Sequence, residues 1–109
     1  MLSTFNKFIR LIIGRRFYRI NSEDCTSKGY QDISTLNDCE LAAEALGLKD
    51  TSVYGHGPLQ VEGKPYGCIY ASNDWLSWAP EDGHPYSNVP CGTYFAGVTY
   101  DCICLTGNI

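Results

Sequence analysis

No stretch of the chain is apolar for long enough to cross a membrane as a helix. The aliphatic block near its start, Leu11-Ile12-Ile13, is three residues long and sits between Arg10 and Arg15. That is also too short for the apolar region of a secretory signal. There is no Cys-x-x-Cys pair, and His56 and His84 are the only histidines, so the usual ligand spacing of a structural zinc site is missing. Gly55-His56-Gly57 is followed by no Lys-Ser/Thr, which excludes a phosphate-binding loop. Glu81-Asp82 lies between Pro80 and Gly83, as an exposed turn does, and lacks the ligand spacing of an EF-hand. No Asn-x-Ser/Thr acceptor for a glycan occurs. Neither histidine stands in a spacing that supplies a nucleophile with its base, so both read as loop residues. The expectation is a protein without enzymatic activity, metal or cofactor.

Acid is missing from the first twenty residues, which hold Lys7, Arg10, Arg15, Arg16 and Arg19, a net +5. Residues 21–109 carry three lysines and all twelve acids, a net −9. A basic arm therefore precedes an acidic body. The acidic body would repel phosphate, so nucleic acid is not an expected partner. Within the arm, Phe5, Phe8, Ile9, Ile12 and Ile13 recur at helical spacing, with Lys7, Arg10 and Arg15 on other faces. Being Arg-rich, acid-free and amphipathic, the arm also resembles an organelle presequence. Three roles stand open for it: a helix lying on a membrane surface, a segment docked into a neighbouring protein, or a helix packed on its own body. The expected organisation is an arm over residues 1–17 and a cysteine-rich module over 18–109.

What the chain does have is cysteine. Cys25, Cys39, Cys68, Cys91, Cys102 and Cys104 all lie in the acidic body. An even count in so short a segment reads as a disulfide framework and implies an oxidising environment. A body this small buries a modest share of its surface, and each bridge contributes about 2–4 kcal/mol.

The segment from Ile33 to Leu48 is the clearest element. Ser34 or Thr35 can cap a helix there, and Asp38 suits its positive end. Leu36, Cys39, Ala43 and Leu46 make an apolar stripe, and Gly47 ends the helix in the left-handed conformation. Asp38, Glu40 and Glu44 read as its solvated side. Phe17 to Ile20 is expected to be a strand, and Asn21 to Gln31 a loop. Residues 49–64 form a loop with a short strand at Leu59-Gln60-Val61. Tyr66 to Ala71 is the strongest strand, with Tyr66, Cys68 and Tyr70 on one face and Ile69 on the other. Gly67 beside Cys68 points to another backbone passing close by. Asn73-Asp74 is a turn, Trp75 to Trp78 a strand, 79–90 a loop, and Thr93–Tyr100 and Cys102–Leu105 the last strands.

Six cysteines allow fifteen connectivities. Cys102 and Cys104, two apart in a strand, share a face with Cα atoms about 6.5 Å apart, so a bridge between them would be strained. Cys39–Cys68 would tie the helix to the central strand, Cys91–Cys102 would close the last hairpin, and Cys25–Cys104 completes that set. Other sets remain open.

Several of these pieces recur together: Cys25-x-x-x-Gly29, Ile33-Ser34, Cys39-Glu40-x-Ala42-Ala43, Leu46-Gly47-Leu48, Pro65-Tyr66-Gly67-Cys68 and Cys102-Ile103-Cys104. Over roughly residues 18–105 the chain resembles a small cysteine-rich module of marine algae, other protists and the large DNA viruses that infect them. More distantly it is similar to the PAN/apple type of extracellular module. Where the module usually has two aromatics and an Asn, this chain has Leu76-Ser77-Trp78-Ala79. The resemblance implies an α+β fold with one central helix disulfide-bonded to a curved antiparallel sheet, and a recognition or structural role outside the cytosol.

The expected function is that of a structural or interaction protein tethered by its arm into a larger assembly, such as a minor component of a virion shell or an accessory subunit of an algal complex. Tyr66, Tyr70, Trp75, Trp78, Tyr86, Tyr94 and Tyr100 fill a core, meet a protein neighbour or stack on sugar rings. The second function is therefore a glycan-binding module, with Tyr70, Trp75, Trp78 and Tyr86 as its contact surface.

Overall fold

A computed structural model describes residues 16–53, 64–79 and 89–106. The arm residues Phe5, Phe8, Ile9, Arg10, Ile12, Ile13 and Arg15 lie outside the described residues, as do His56, His84, Tyr86, Glu81-Asp82 and the strand expected at Leu59–Val61. The described residues form a small disulfide-rich α+β domain, mostly sheet. Its elements are β1 (Arg16–Ile20), a 3-10 turn (Thr26–Lys28), β2 (Gln31–Asp32), α1 (Leu36–Ala45), β3 (Gly67–Ala71), β4 (Trp75–Ala79), β5 (Thr93–Phe95) and β6 (Val98–Thr106).

β6 is the hub of the sheet: β1, β2, β3 and β5 pair with it, and β4 joins through β3. The path through the antiparallel sheet is β1-β6-β3-β4, and β2 and β5 also pair with β6. Along one edge of β6, β5 covers Val98 to Tyr100 and β1 covers Cys102 to Thr106. Along the other, β3 covers Tyr100 to Cys102 and β2 covers Cys104 and Leu105. Ile103 is the point at which β6 changes partner on that second edge.

Alternation along the strands divides the core between two faces. On one face Phe17, Cys68, Tyr70, Leu76 and Ile103 pack with Ile33 and with Cys39, Ala42 and Ala43 of α1. On the other, Ile20, Ile69, Ala71, Tyr100, Cys102 and Cys104 pack with Cys25 and Cys91. The sheet thus carries its helix on one side and two disulfide-bearing loops on the other. Cys68 and Tyr70 share the helix face and Ile69 takes the opposite one, as the alternation requires.

The helix starts where Thr35 accepts a hydrogen bond from the Asp38 amide at 3.1 Å. Gly47 follows its end at φ +72°. Cys39, Ala43 and Leu46 of the expected stripe pack on the core; Leu36 is instead exposed, and Ala42 joins as a fully buried residue. Leu36, the first helical residue, remains 41% exposed. Glu40 does more than face solvent, since its Oε2 accepts from the Val53 amide at 2.8 Å and holds the chain beyond the helix.

Three further expectations are corrected. The body begins at Arg16, because Arg16 and Phe17 pair with Thr106 and Leu105; Arg16 belongs to the sheet and not to the arm. The last hairpin turns at Ala96-Gly97, with φ +54° and +86°, so Tyr100 to Leu105 is one continuous strand. Two residues of positive φ are the signature of a tight primed hairpin turn. Gly67 approaches nothing, for a β-carbon there would meet no atom within 4 Å; its φ of +96° is the reason for glycine. The glycine of close approach is Gly92.

Candidate functional site

Two features of the body stand out as places where it can meet something else. One is a cleft at the partner change on β6, and the other is the aromatic end of the β5–β6 hairpin.

The cleft follows from register. β3 departs from β6 beyond Ile69, and β2 takes up the pairing at Cys104, which leaves a break in the sheet beside Ile103. A cavity of about 320 Å³ occupies this break. Glu23, Asp24, Asp32 and Tyr66 line it, together with Cys25, Cys68, Cys91 and Cys102. Burial raises the pKa of Asp32 above the usual carboxylate value, and the hydroxyl of Tyr66, which donates to its Oδ2 at 3.2 Å, partly offsets the rise. Asp24 is the opposite case. Its Oδ1 accepts from the Ser27 amide at 2.7 Å and the Thr26 hydroxyl at 3.1 Å, and the Ser27 bonds hold its pKa below the usual value. Among the described residues no cluster of three or more His, Cys, Asp or Glu side chains could hold a metal ion.

The bridges that surround the cleft are Cys25–Cys104, Cys39–Cys68 and Cys91–Cys102, and no described cysteine is free. This is the set favoured among the fifteen connectivities. Cys102 and Cys104 reach separate partners from the same face of β6, with Cα–Cα distances of 5.3 and 5.6 Å. The helix face is stapled by Cys39–Cys68 at 5.4 Å.

Among the described residues, Tyr70, Trp75 and Trp78 do not form the exposed row that the glycan reading requires. Tyr70 is buried, with its ring under the Arg19 guanidinium 5.0 Å away and its hydroxyl shared between Asp50 and Asp74. It is a core residue and is withdrawn from the contact surface. Leu76 and Trp78 join the helix-side core, whereas Trp75, three residues before Trp78, points to the other face and is 45% exposed. Residues an odd number apart on a strand cannot form one row. At the hairpin end Tyr94, one of the aromatics named above, is 73% exposed, and Phe95, which the sequence did not single out, projects from the opposite face. Tyr18 stacks on Tyr30 at the β1 edge, with ring centroids 5.0 Å apart. No described helix is long and apolar enough to cross a membrane. No family model, curated protein or solved structure matches the chain.

Proposed function

We propose that the chain is a non-enzymatic structural or interaction protein whose cross-linked body is held in a larger assembly by residues 1–15 and meets a protein neighbour through the β5–β6 hairpin. The observation that carries the reading is the placement of these two features at opposite ends of one strand. The chain reaches the sheet at Arg16, paired with Thr106 at one end of β6. The Tyr94-Phe95 pair is exposed beside Val98 and Thr99 at the other. Nine extended residues separate the two by about 27 Å. Three bridges pin the strands and helix between them, so a force or contact at one end is transmitted through a rigid body. Exposed aromatics on a rigid hairpin are the residue type that carries protein-interface energy.

Three disulfides favour an oxidising location. The resemblance to modules of algae and their viruses supports a minor virion-shell component or an accessory subunit of an algal complex as the assembly. The test is a chain lacking residues 1–14. It should keep its circular dichroism and disulfide map and lose its place in the native assembly. Recovery of the shortened chain at the full-length level would sink the reading.

A further inference from the structure

We infer that the break beside Ile103 is the route by which thiols reach the disulfides, that it sets which sulfur of two bridges is attacked, and that its carboxylates discriminate against anionic thiols. The cavity lies where β3 and β2 part, and its lining draws on both core faces: Ile33, Cys68 and Ile103 from one, Cys25, Cys91 and Cys102 from the other. It touches a half-cystine of every bridge: Cys25, Cys68, and both Cys91 and Cys102. Cys104 and Cys39, the partners of Cys25 and Cys68, do not line it. Cys25 is 4% exposed and Cys104 0%, and Cys68 is 2% exposed and Cys39 0%. Cys91 and Cys102 are equally exposed, so their bridge has no preferred sulfur.

Exchange needs the incoming thiolate to lie in line with the S–S bond, behind the sulfur it attacks. Cys25 lines the cavity and Cys104 does not, so the attack is assigned to Cys25 Sγ. The thiolate forms a bond to Cys25 Sγ, the electron pair of the broken S–S bond leaves on Cys104 Sγ, and that thiolate takes a proton from water. A second thiolate then attacks the sulfur of the first in the mixed disulfide, and Cys25 Sγ leaves as a thiolate that takes a proton from water. Two thiols are oxidised to one disulfide as one protein disulfide is reduced. The same sequence at the helix bridge places the mixed disulfide on Cys68 and the leaving thiolate on Cys39.

Charge governs which thiols arrive. Glu23, Asp24 and Asp32 line the cavity, and among the described residues no Lys or Arg does. A concave surface of one sign concentrates counter-charged solutes and excludes those of like charge, and salt screens the effect over about 10 Å at 0.1 M. A cationic aminothiol is therefore favoured over a carboxylate-bearing thiol of the same intrinsic reactivity.

The experiment uses the native full-length chain, limiting 2-aminoethanethiol or 3-mercaptopropionate, acid quenching and peptide mass spectrometry. Rates are normalised to thiolate concentration and to each thiol's rate with a small linear disulfide. Adducts are expected on Cys25 and Cys68 and not on Cys104 or Cys39. The cationic thiol should be favoured about fivefold at ~0.01 M salt, with the ratio approaching one at ~1 M. Glu23→Gln with Asp32→Asn should lower that preference at least about twofold. Equal adduct yields on Cys25 and Cys104 would mean reduction through unfolding and overturn the route. A charge preference that salt leaves unchanged would overturn the selection, and the salt series needs no variant to fold.

Discussion

The backbone of Gly92 runs so close to Asn21 that a β-carbon on residue 92 would overlap the Asn21 carbonyl. Gly92 also holds φ +83° and donates to the Tyr100 carbonyl at 2.6 Å, although Tyr100 is the register partner of Thr93. This is the pattern of a glycine bulge. It swings Cys91 toward Cys102 and sets the Cys91 amide 2.7 Å from the Glu23 carbonyl. The loop after β1 is thereby fastened to the loop before β5, forming one wall of the cleft.

Gly92→Ala should accordingly cost about 2–4 kcal/mol, combining backbone strain with a clash against main chain that cannot yield. Gly67→Ala meets open space and bears only the strain, about 1–2 kcal/mol. Urea unfolding of the two variants separates them. Equal losses would mean that Asn21 moves aside.

Much of this was legible in the residues, and the misses have physical causes. Strand alternation placed Cys68 and Ile69 on opposite faces, and a cap and a left-handed glycine bracketed α1. Each of these signals is local. Ala96 carries no turn signal, because alanine at positive φ is tolerated only where the sheet on both sides demands it. β2 is two residues long and shows no period. The cleft depends on where β6 exchanges β3 for β2, a matter of register between segments more than thirty residues apart. No local pattern encodes it. Leu36 reads as apolar in any helical wheel, and only the course of the chain leaves it in solvent.

The disulfides close loops of very different length, with sequence separations of 79, 29 and 11. In the chain-entropy account their removal should cost about 4.5, 3.6 and 2.8 kcal/mol respectively. The double variants Cys25→Ala/Cys104→Ala, Cys39→Ala/Cys68→Ala and Cys91→Ala/Cys102→Ala test the order by denaturant midpoint. The helix bridge lies among Ala42, Ala43 and Leu76, so its loss adds a cavity. If that variant is less stable than the Cys25/Cys104 one, packing outweighs loop closure at this site.

Tyr70 closes the outer edge of the sheet from beneath. Its hydroxyl accepts from the Asp50 amide at 3.0 Å and donates to Asp74 Oδ1 at 3.2 Å, and Asp50 Oδ2 in turn accepts from the Leu76 amide at 2.9 Å. Tyr70→Phe leaves a half-buried amide without its acceptor and should cost about 1–2 kcal/mol. Asp50→Ala frees an edge amide of β4 and should cost a similar amount. Hydrogen exchange distinguishes them, since Leu76 should lose protection in the Asp50 variant to a greater degree than in the Tyr70 one.

The two carboxylates of the cleft pull stability in opposite directions with pH. Asp24 has a lowered folded-state pKa, so its contribution is present above the ordinary carboxylate pKa and is lost as pH falls through the folded value. Asp32 has a raised one, so its contribution is full below the ordinary value and disappears as pH rises through the folded value. Asp32→Asn keeps an oxygen to accept from Tyr66 and should leave the protein at least as stable as wild type at pH 7, with the advantage gone near pH 3. Asp24→Ala should do the reverse, losing about 1 kcal/mol at pH 7 with its turn contacts and less in acid. Parallel pH series of thermal melts decide it, and a destabilised Asp32→Asn at pH 7 would show that the ionised carboxylate is needed there.

Tyr94 offers the sharpest separation of stability from recognition. Tyr94 is largely in solvent, and Phe95 is exposed on the opposite face of a three-residue strand. Substituting Tyr94 by Ala removes little buried area, so the unfolding free energy should change by less than about 0.5 kcal/mol. An interface anchor of this kind, by contrast, typically costs more than about 1 kcal/mol of binding when truncated, a fivefold or greater loss of affinity. Tyr94→Ala should therefore keep wild-type melting behaviour and fall out of the native assembly when it competes with wild-type chain, whereas Phe95→Ala, which removes a side chain only 38% exposed, should also lower the melting point. Arm deletion and hairpin substitution act at opposite ends of β6, so their effects on affinity should add. A strong departure from additivity would place the arm and the hairpin on the same contact and remove the two-ended arrangement from consideration.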